Sequence, residues 1–399
     1  MLELIEKHLL PLVAEVQRPS KWRHSPSGNG RVEGHVGITN LGCICYMISM
    51  LQQFFMVPQF RYQLFKAQDT TPEQLEEYKG DMIDDNLLRQ LQILYGYLEL
   101  SERHAANPKA FCFTFKDYDG TPTKIGEQKD AQEFLNFFFE RIETLLKPTS
   151  QRDLLKDVFA GNQCSQIICH SCGQVRSKKE LFYNLSLQVK GSSGIHDSLQ
   201  AMIKGQTIED FTCEGCNKKV DVTRRALLAD MPNVLIVHQQ RIVFSFDTFQ
   251  NDKLNSRFEF PRILDLKDYS VKEVMKGSAD QDIAEMMNIE DDEYVYRLVG
   301  INVHVGTADA GHYYSLINTQ RGELEPNGQE EEAKWTKIEA GPWKEFNDAT
   351  LRSFSFERDY QAEAFGGDAA QKGTADAMTN QEVTAFLASG SQSYGKSAY

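Results

Sequence analysis

The sequence predicts an α+β fold in which helices and strands occupy separate stretches of the chain. Three observations carry that expectation. Up to about residue 156, apolar residues recur at helical spacing. Beyond Pro148 the segments shorten, alternate, and fill with β-branched and aromatic residues, as strands do. No internal repeat is visible, and the order is helices then strands rather than alternation of the two. Hydrophobic residues at 41% and aromatics at 11% of 399 residues suffice for a packed core.

Residues 1–30 are expected to form a leader: an amphipathic helix followed by a polar linker from Pro19 to Gly30. A turn at Asn40-Leu41-Gly42 then precedes apolar residues Met47, Met50, Leu51, Phe54 and Phe55, a helical stripe closed by Pro58. A second helix is predicted from about Lys129 to Leu146, with Phe134, Leu135, Phe138, Phe139, Ile142 and Leu146 on one face. Strands are predicted over Leu181–Val189, Val234–His238, Arg257–Phe260, Tyr296–Val305 and His312–Ile317. Ser270 to Glu293 reads as an acidic surface insertion, and Gly322 to Glu332 as a charged loop. The Ala/Gly/Ser-rich tail from Gly366 is expected to hold a short helix at Asn380–Leu387.

Charge narrows the partners. With 43 Lys and Arg against 57 Asp and Glu, the net charge is −14, which disfavours nucleic acid and anionic membrane surfaces. No stretch approaches the roughly 18 apolar residues of a membrane span. The N-terminus lacks a secretory pattern. Eight cysteines in such a chain are expected as reduced thiols, metal ligands or a nucleophile, in the cytosol or also the nucleus.

Two Cys-x-x-Cys pairs, Cys169–Cys172 and Cys213–Cys216, stand with forty residues between them. Four thiolates suit a tetrahedral Zn²⁺, and a closed four-ligand shell makes it structural. Gly173 and Gly215 are expected to supply the permissive backbone of the two knuckles. Cys45 falls at the start of the first helix, where unpaired N–H groups and the helix dipole favour a thiolate and bind an oxyanion. Burial as a small hydrophobe is the ordinary fate of a free Cys, and Cys43 lies only two residues away. His312 follows the Gly-flanked loop Gly306–Gly311 at the head of a strand. Asn347 and Asp348 follow an aromatic anchor, and an amide or carboxylate there can orient a histidine. Taken singly, Cys45, His312 and the Asn347-Asp348 pair are each more often structural.

Together the boxes resemble the ubiquitin-specific protease family of deubiquitinating cysteine peptidases. The family's Cys box, Gly-Leu-x-Asn-x-Gly-x-Thr-Cys-Tyr-Met-Asn-Ser, is similar to Gly37-Ile-Thr-Asn40-Leu-Gly-Cys-Ile44-Cys45-Tyr-Met-Ile48-Ser. A Gln-Asp box stands as Gln128-Lys-Asp130-Ala-Gln-Glu133. The His box runs from Tyr296-Arg-Leu-Val-Gly through Gly311-His312-Tyr-Tyr-Ser and Trp335 to Phe346-Asn347-Asp348, and Phe258-Glu-Phe-Pro261 resembles the strand leading into the palm. The Gln-Asp box and the Phe-Gly-Gly at Phe365 look most like the fat-facets-type enzymes, which are very long proteins.

The resemblance implies a papain-like right hand: a helical thumb over 31–156, a zinc-bearing β finger region over 157–235, and a β palm over 236–360. It implies Cys45 as nucleophile, His312 as base, Asn347 as its orienting group, and Asn40 and the Cys45 N–H as oxyanion donors, with Asp348 in support. Asp130 and Glu133 would grip arginines of ubiquitin's tail, and Gly311 would line a slot for its Gly-Gly end. Ubiquitin and ubiquitinated proteins would be the partners. Departures are Ile44 for the usual Thr, Ile48 for Asn, and Gln240 for Lys. They leave a second reading open, a ubiquitin-binding module with weakened or no turnover. The chain's end at Tyr399 suggests a piece of a larger protein, with a palm lacking its final strand.

Overall fold

The structure, a computed structural model, describes residues 30–69, 86–247, 249–276, 294–308, 310–322, 341–366 and 381–389. The expected leader helix, most of the acidic insertion, the charged loop with Trp335, and most of the tail lie outside those residues. The chain divides into two compact units. One is Met1–Leu155 with Asp309–Phe356; the other is Lys156–Ala308 with Glu357–Tyr399. His312 and Asn347, expected on a palm over 236–360, therefore belong to the same unit as Cys45.

In the first unit the predicted helix spans Cys45–Phe55, and all eleven of its residues are buried. The expected one-sided stripe underestimates this, because the polar residues find partners inside. Gln52 Nε2 donates to Val36 O at 2.9 Å, and Gln53 Nε2 donates to Leu316 O at 3.4 Å. A helix sheltered on every side needs such satisfied polar groups. Helices Pro58–Lys66, Leu87–Leu100 and Lys109–Thr114 surround it. The helix Ala131–Leu146 follows the predicted stripe and buries Phe137 as well. Its phenylalanines pack against the first helix: Phe138 stacks on Phe54 with centroids 5.3 Å apart, and Phe134 meets Tyr46 edge-on at 5.6 Å. Three antiparallel strands complete the unit, Gly311–Asn318, Trp343–Asn347 and Thr350–Phe354.

Among the described residues the second unit holds two large sheets, besides the antiparallel pair Ile242–Ser245 and Gln250–Lys253. Four antiparallel strands lie in the order Val175–Phe182, Gly161–Cys169, Lys218–Asp230, Gln206–Cys213. A second sheet carries Leu185–Gln188, Val234–Gln240, Gln381–Ser389 and Val295–Gly306 side by side, with Ile263–Asp265 also on Val295–Gly306.

Several expectations are corrected here. Leu181–Val189 is two strands, broken at Tyr183-Asn184. Arg257–Phe260 is an irregular segment whose backbone pairs at single points, Phe258 N with Phe365 O and Glu259 with Gly194. A helix, Ile195–Lys204, interrupts the strand-rich stretch. Gln381–Ser389 forms a strand where a helix was expected. It pairs Thr384–Ala388 with Val234–His238 on one side and Gln381–Ser389 with Tyr296–Val305 on the other. Phe386, at the centre of this strand, is fully buried.

Candidate active site

Local chemistry places Cys45. Asn40 Oδ1 accepts from the N–H groups of Gly42 at 3.0 Å and Ile44 at 3.4 Å, an Asx-type turn that swings the chain into the helix. Cys43 N donates to Ile125 O at 2.6 Å, and a Cβ on Gly42 would collide with that same carbonyl. Only glycine allows so close an approach. Ile44 is the N-cap and offers no side-chain cap, so Cys45 opens the first turn, where the leading backbone N–H groups lack helical partners. Cys45 is 2% exposed. Cys112 sits elsewhere in this core, its thiol pushed up to about 12 by burial, which makes it inert.

The Cys45 helix is pinned to the strand that bears His312. Ser315 Oγ donates to Ser49 O at 2.8 Å, tying the second turn of the helix to the middle of the strand. The Cys45 side chain lies near enough to the His312 imidazole to act on its charge. His312 Nε2 meets Asn347 Oδ1 at 2.7 Å, which leaves Nδ1 for the sulfur. The His312 pKa is raised to about 9, chiefly by the Cys45 side chain, working against burial, and then by Asn347 and the charges of Cys45 and Asp348. The imidazolium is therefore favoured at neutral pH.

Asp348 forms the turn after Asn347 with φ 53°, a left-handed conformation that Asp tolerates better than most residues. It is held there by Ile38 N, which donates to Asp348 O at 3.0 Å, and by Asn40 Nδ2, which donates to Asp348 Oδ2 at 3.1 Å. A Cβ on Gly37 would stand 2.7 Å from Asp348 O, so that position must be glycine. The Oδ2 atom lies 3.9 Å from His312 Nε2, and Oδ1 is buried without a hydrogen-bond partner. Thus Cys45, His312, Asn347, Asn40 and Asp348 converge within one compact unit.

The remaining predicted residues are placed differently. Asp130 is the N-cap of the helix Ala131–Leu146, and its Oδ1 accepts from Gln132 N at 2.7 Å and Glu133 N at 2.9 Å. It precedes the helix, whereas the sequence reading put it inside. Glu133 is exposed in the first turn. Gly311 N donates to Gln128 Oε1 at 3.0 Å. Sequence reasoning gave Gln128 no role, although it quoted the box that contains it. It also passed over Glu345, whose Oε1 accepts from Asn347 Nδ2 at 3.1 Å. The i, i+2 spacing on one strand was the available signal.

In the second unit, Cys169, Cys172, Cys213 and Cys216 present sulfurs all within 4.8 Å of one another. Strands Gly161–Cys169 and Gln206–Cys213 flank the antiparallel Lys218–Asp230, so their terminal turns fall at the same end of the sheet. Cys172 Sγ and Cys213 Sγ are 3.8 Å apart. A tetrahedron with metal–sulfur bonds of about 2.3 Å has sulfur edges of about 3.8 Å, so the donor set fits a metal ion. Backbone N–H groups, Cys172's first, point at the Cys169 sulfur and draw its pKa down to about 6. Gly173 takes the expected left-handed turn at φ 70°. In the second knuckle the left-handed residue is Asn217, at φ 50°; Gly215 instead makes room for the Gln174 side chain.

A buried cysteine at a helix N-terminus, beside a histidine that an amide backs, is the constellation of a papain-like thiol peptidase. Comparison with known proteins narrows the class. The model of the ubiquitin carboxyl-terminal hydrolase family matches residues 36–379. The chain is 31% identical over 387 residues to ubiquitin carboxyl-terminal hydrolase 34 of Mus musculus, covering 95% of this chain and 10% of that protein. It is 32% identical over 399 residues to ubiquitin carboxyl-terminal hydrolase puf of Drosophila melanogaster, covering 92% and 9%. To ubiquitin carboxyl-terminal hydrolase 9X of Mus musculus it is 30% identical over 397 residues, covering 87% and 15%. The chain belongs to the ubiquitin carboxyl-terminal hydrolase family of deubiquitinating cysteine peptidases, and spans about a tenth of the length of the curated relatives it matches first.

Proposed function

We propose that this chain hydrolyses the peptide or isopeptide bond at the C-terminal glycine of ubiquitin, with Cys45, His312 and Asn347 as the catalytic triad. The observation that carries this reading is the line of contacts from the Cys45 thiol through His312 to Asn347. The Cys45 thiolate attacks the glycine carbonyl, and the developing oxyanion takes donors from the helix N-terminus and from Asn40 Nδ2, whose second proton goes to Asp348. Collapse of the tetrahedral intermediate expels the amine, which takes a proton from His312 and leaves a thioester. His312 then accepts a proton from water as the hydroxyl attacks the thioester. Ubiquitin leaves as a carboxylic acid that gives its proton to solvent, and the thiolate–imidazolium pair is restored.

Asp130, Glu133 and Gly311 are assigned to the ubiquitin tail, the carboxylates to its arginines and Gly311 to the narrow end of the slot. The metal at the four cysteines is assigned as zinc, because a closed set of four thiolates suits that ion and leaves no coordination site for chemistry. Eight cysteines without a disulfide support a reducing compartment, the cytosol or nucleus. The non-catalytic alternative drew on Ile44 and Ile48. Both are buried in apolar packing while the triad contacts remain in place, so nothing favours it.

The test is reaction with ubiquitin bearing a thiol-reactive C-terminal group, followed by mapping of the adduct. An adduct on Cys45, abolished in Cys45→Ser and retained in Cys43→Ser, is expected. An adduct on Cys43, or none on a folded, metal-loaded chain, overturns the reading.

A further inference from the structure

We propose that Glu345 is a positioning residue that locks the Asn347 amide with its oxygen toward His312. The inference rests on the catalytic reading above and extends it by one residue. Glu345 and Asn347 are two apart on the strand Trp343–Asn347, so their side chains share a face. Asn347 Nδ2 donates to Glu345 Oε1 at 3.1 Å, and Asn347 Oδ1 meets His312 Nε2 at 2.7 Å.

An asparagine in a triad has a weakness that an aspartate lacks. Its two ends are opposite in character, and a 180° turn of the amide presents N–H groups to the imidazole. A carboxylate only accepts hydrogen bonds, so Glu345 admits one orientation, with Nδ2 facing it. Oδ1 is then left for His312, which fixes the Nε2–H tautomer and leaves Nδ1 for the Cys45 sulfur. Other charges near this line do not replace Glu345. Arg352 stands opposite it in register on the neighbouring strand. Lys344 faces the other way, paired with Glu33. Asp348 Oδ2 is 3.9 Å from His312 Nε2, beyond a hydrogen bond.

The test is a double-mutant cycle on the full chain, read by kcat and KM on a fluorogenic ubiquitin amide and by nitrogen NMR of the His312 imidazole without ubiquitin. Glu345→Gln keeps the shape but accepts either amide orientation. We expect kcat about tenfold lower with KM little changed, as for loss of a charge-assisted hydrogen bond. Recorded above pH 9, where the ring is neutral, the imidazole signals should move toward mixed tautomers. In an Asn347→Asp background the sign reverses. There Glu345 faces a second carboxylate, and Glu345→Gln replaces repulsion with a donor, so it raises kcat. A structural role for Glu345 predicts equal losses in both backgrounds, and that result overturns the proposal. So does an unchanged His312 spectrum in Glu345→Gln. If the unaltered chain neither turns over nor takes the ubiquitin adduct, the catalytic reading fails, and the imidazole spectra still decide the role of Glu345.

Discussion

His312 has the sharpest pH signature. Its pKa is raised to about 9, so the imidazolium, the proton donor of the proposed mechanism, persists through neutral pH and is lost as pH climbs past 9. The same shift is linked to stability. A folded value above the ordinary 6.5 stabilises the fold fully below 6.5, and the contribution disappears as pH rises through about 9. A pH–rate profile should show kcat/KM falling above about 9. Asn347→Ala should move that limb downward, since Asn347 is among the causes of the raised value. A limb that stays in place would remove Asn347 from the imidazole's support. Much of this site was legible as residue types. Cys45, His312, Asn347 and Asn40 stand in boxes whose order is informative. Glu345 was not legible, because a Glu two positions before an Asn acquires meaning only once both are known to share a strand face aimed at His312.

At the scale of elements, Asp130 and the cysteine knuckles each anchor a secondary-structure end. As N-cap of Ala131–Leu146, Asp130 satisfies two orphan N–H groups. Asp130→Ala should therefore cost about 1 kcal/mol of stability, measurable by denaturant unfolding, besides any rise in KM. A rise in KM with unchanged stability would mean that the cap is dispensable and the tail contact dominates. The knuckles hold the ends of two strands that are not neighbours, on either side of Lys218–Asp230. Cys213→Ser should lower the melting temperature of the four-stranded sheet, and a chelator should do the same to the unaltered chain. Indifference to both would refute a bound metal. Spacing alone announced the four ligands. The permissive residue of the second knuckle was misplaced on Gly215, because Asn217 also tolerates positive φ and only the traced backbone distinguishes them.

For the molecule as a whole, the segment near its end matters most. Gln381–Ser389 is paired along both edges, between Val234–Gln240 and Val295–Gly306. A chain ending at residue 380 should expose two strand edges and the pocket of Phe386, and be recovered as aggregate. A soluble, monomeric chain of that length with unaltered melting would show the strand to be dispensable. The sequence reading took this stretch for a helix, since Asn-Gln-Glu-Val-Thr-Ala-Phe-Leu carries helix-forming residues with little alternation. Its setting overrides that preference. A strand hydrogen-bonded on both sides satisfies its whole backbone, and tertiary pairing outweighs propensities worth a few tenths of a kcal/mol per residue.

What the sequence determined by itself was whatever depends on local chemistry: the helix that begins at Cys45, the phenylalanine stripe of Ala131–Leu146, the paired cysteine knuckles, and a set of boxes sufficient to indicate the family. Tertiary structure alone decided which groups meet. It brought Asn347 and Asp348 to His312 across a strand turn, gave Asn347 its partner in Glu345, and closed Gln128 onto the Gly311 backbone. It also made a strand of Gln381–Ser389. The physical reason is the same in each case. Each of these hydrogen bonds depends on register and side-chain orientation, and these are set by the packed core rather than by the residues that form the bond.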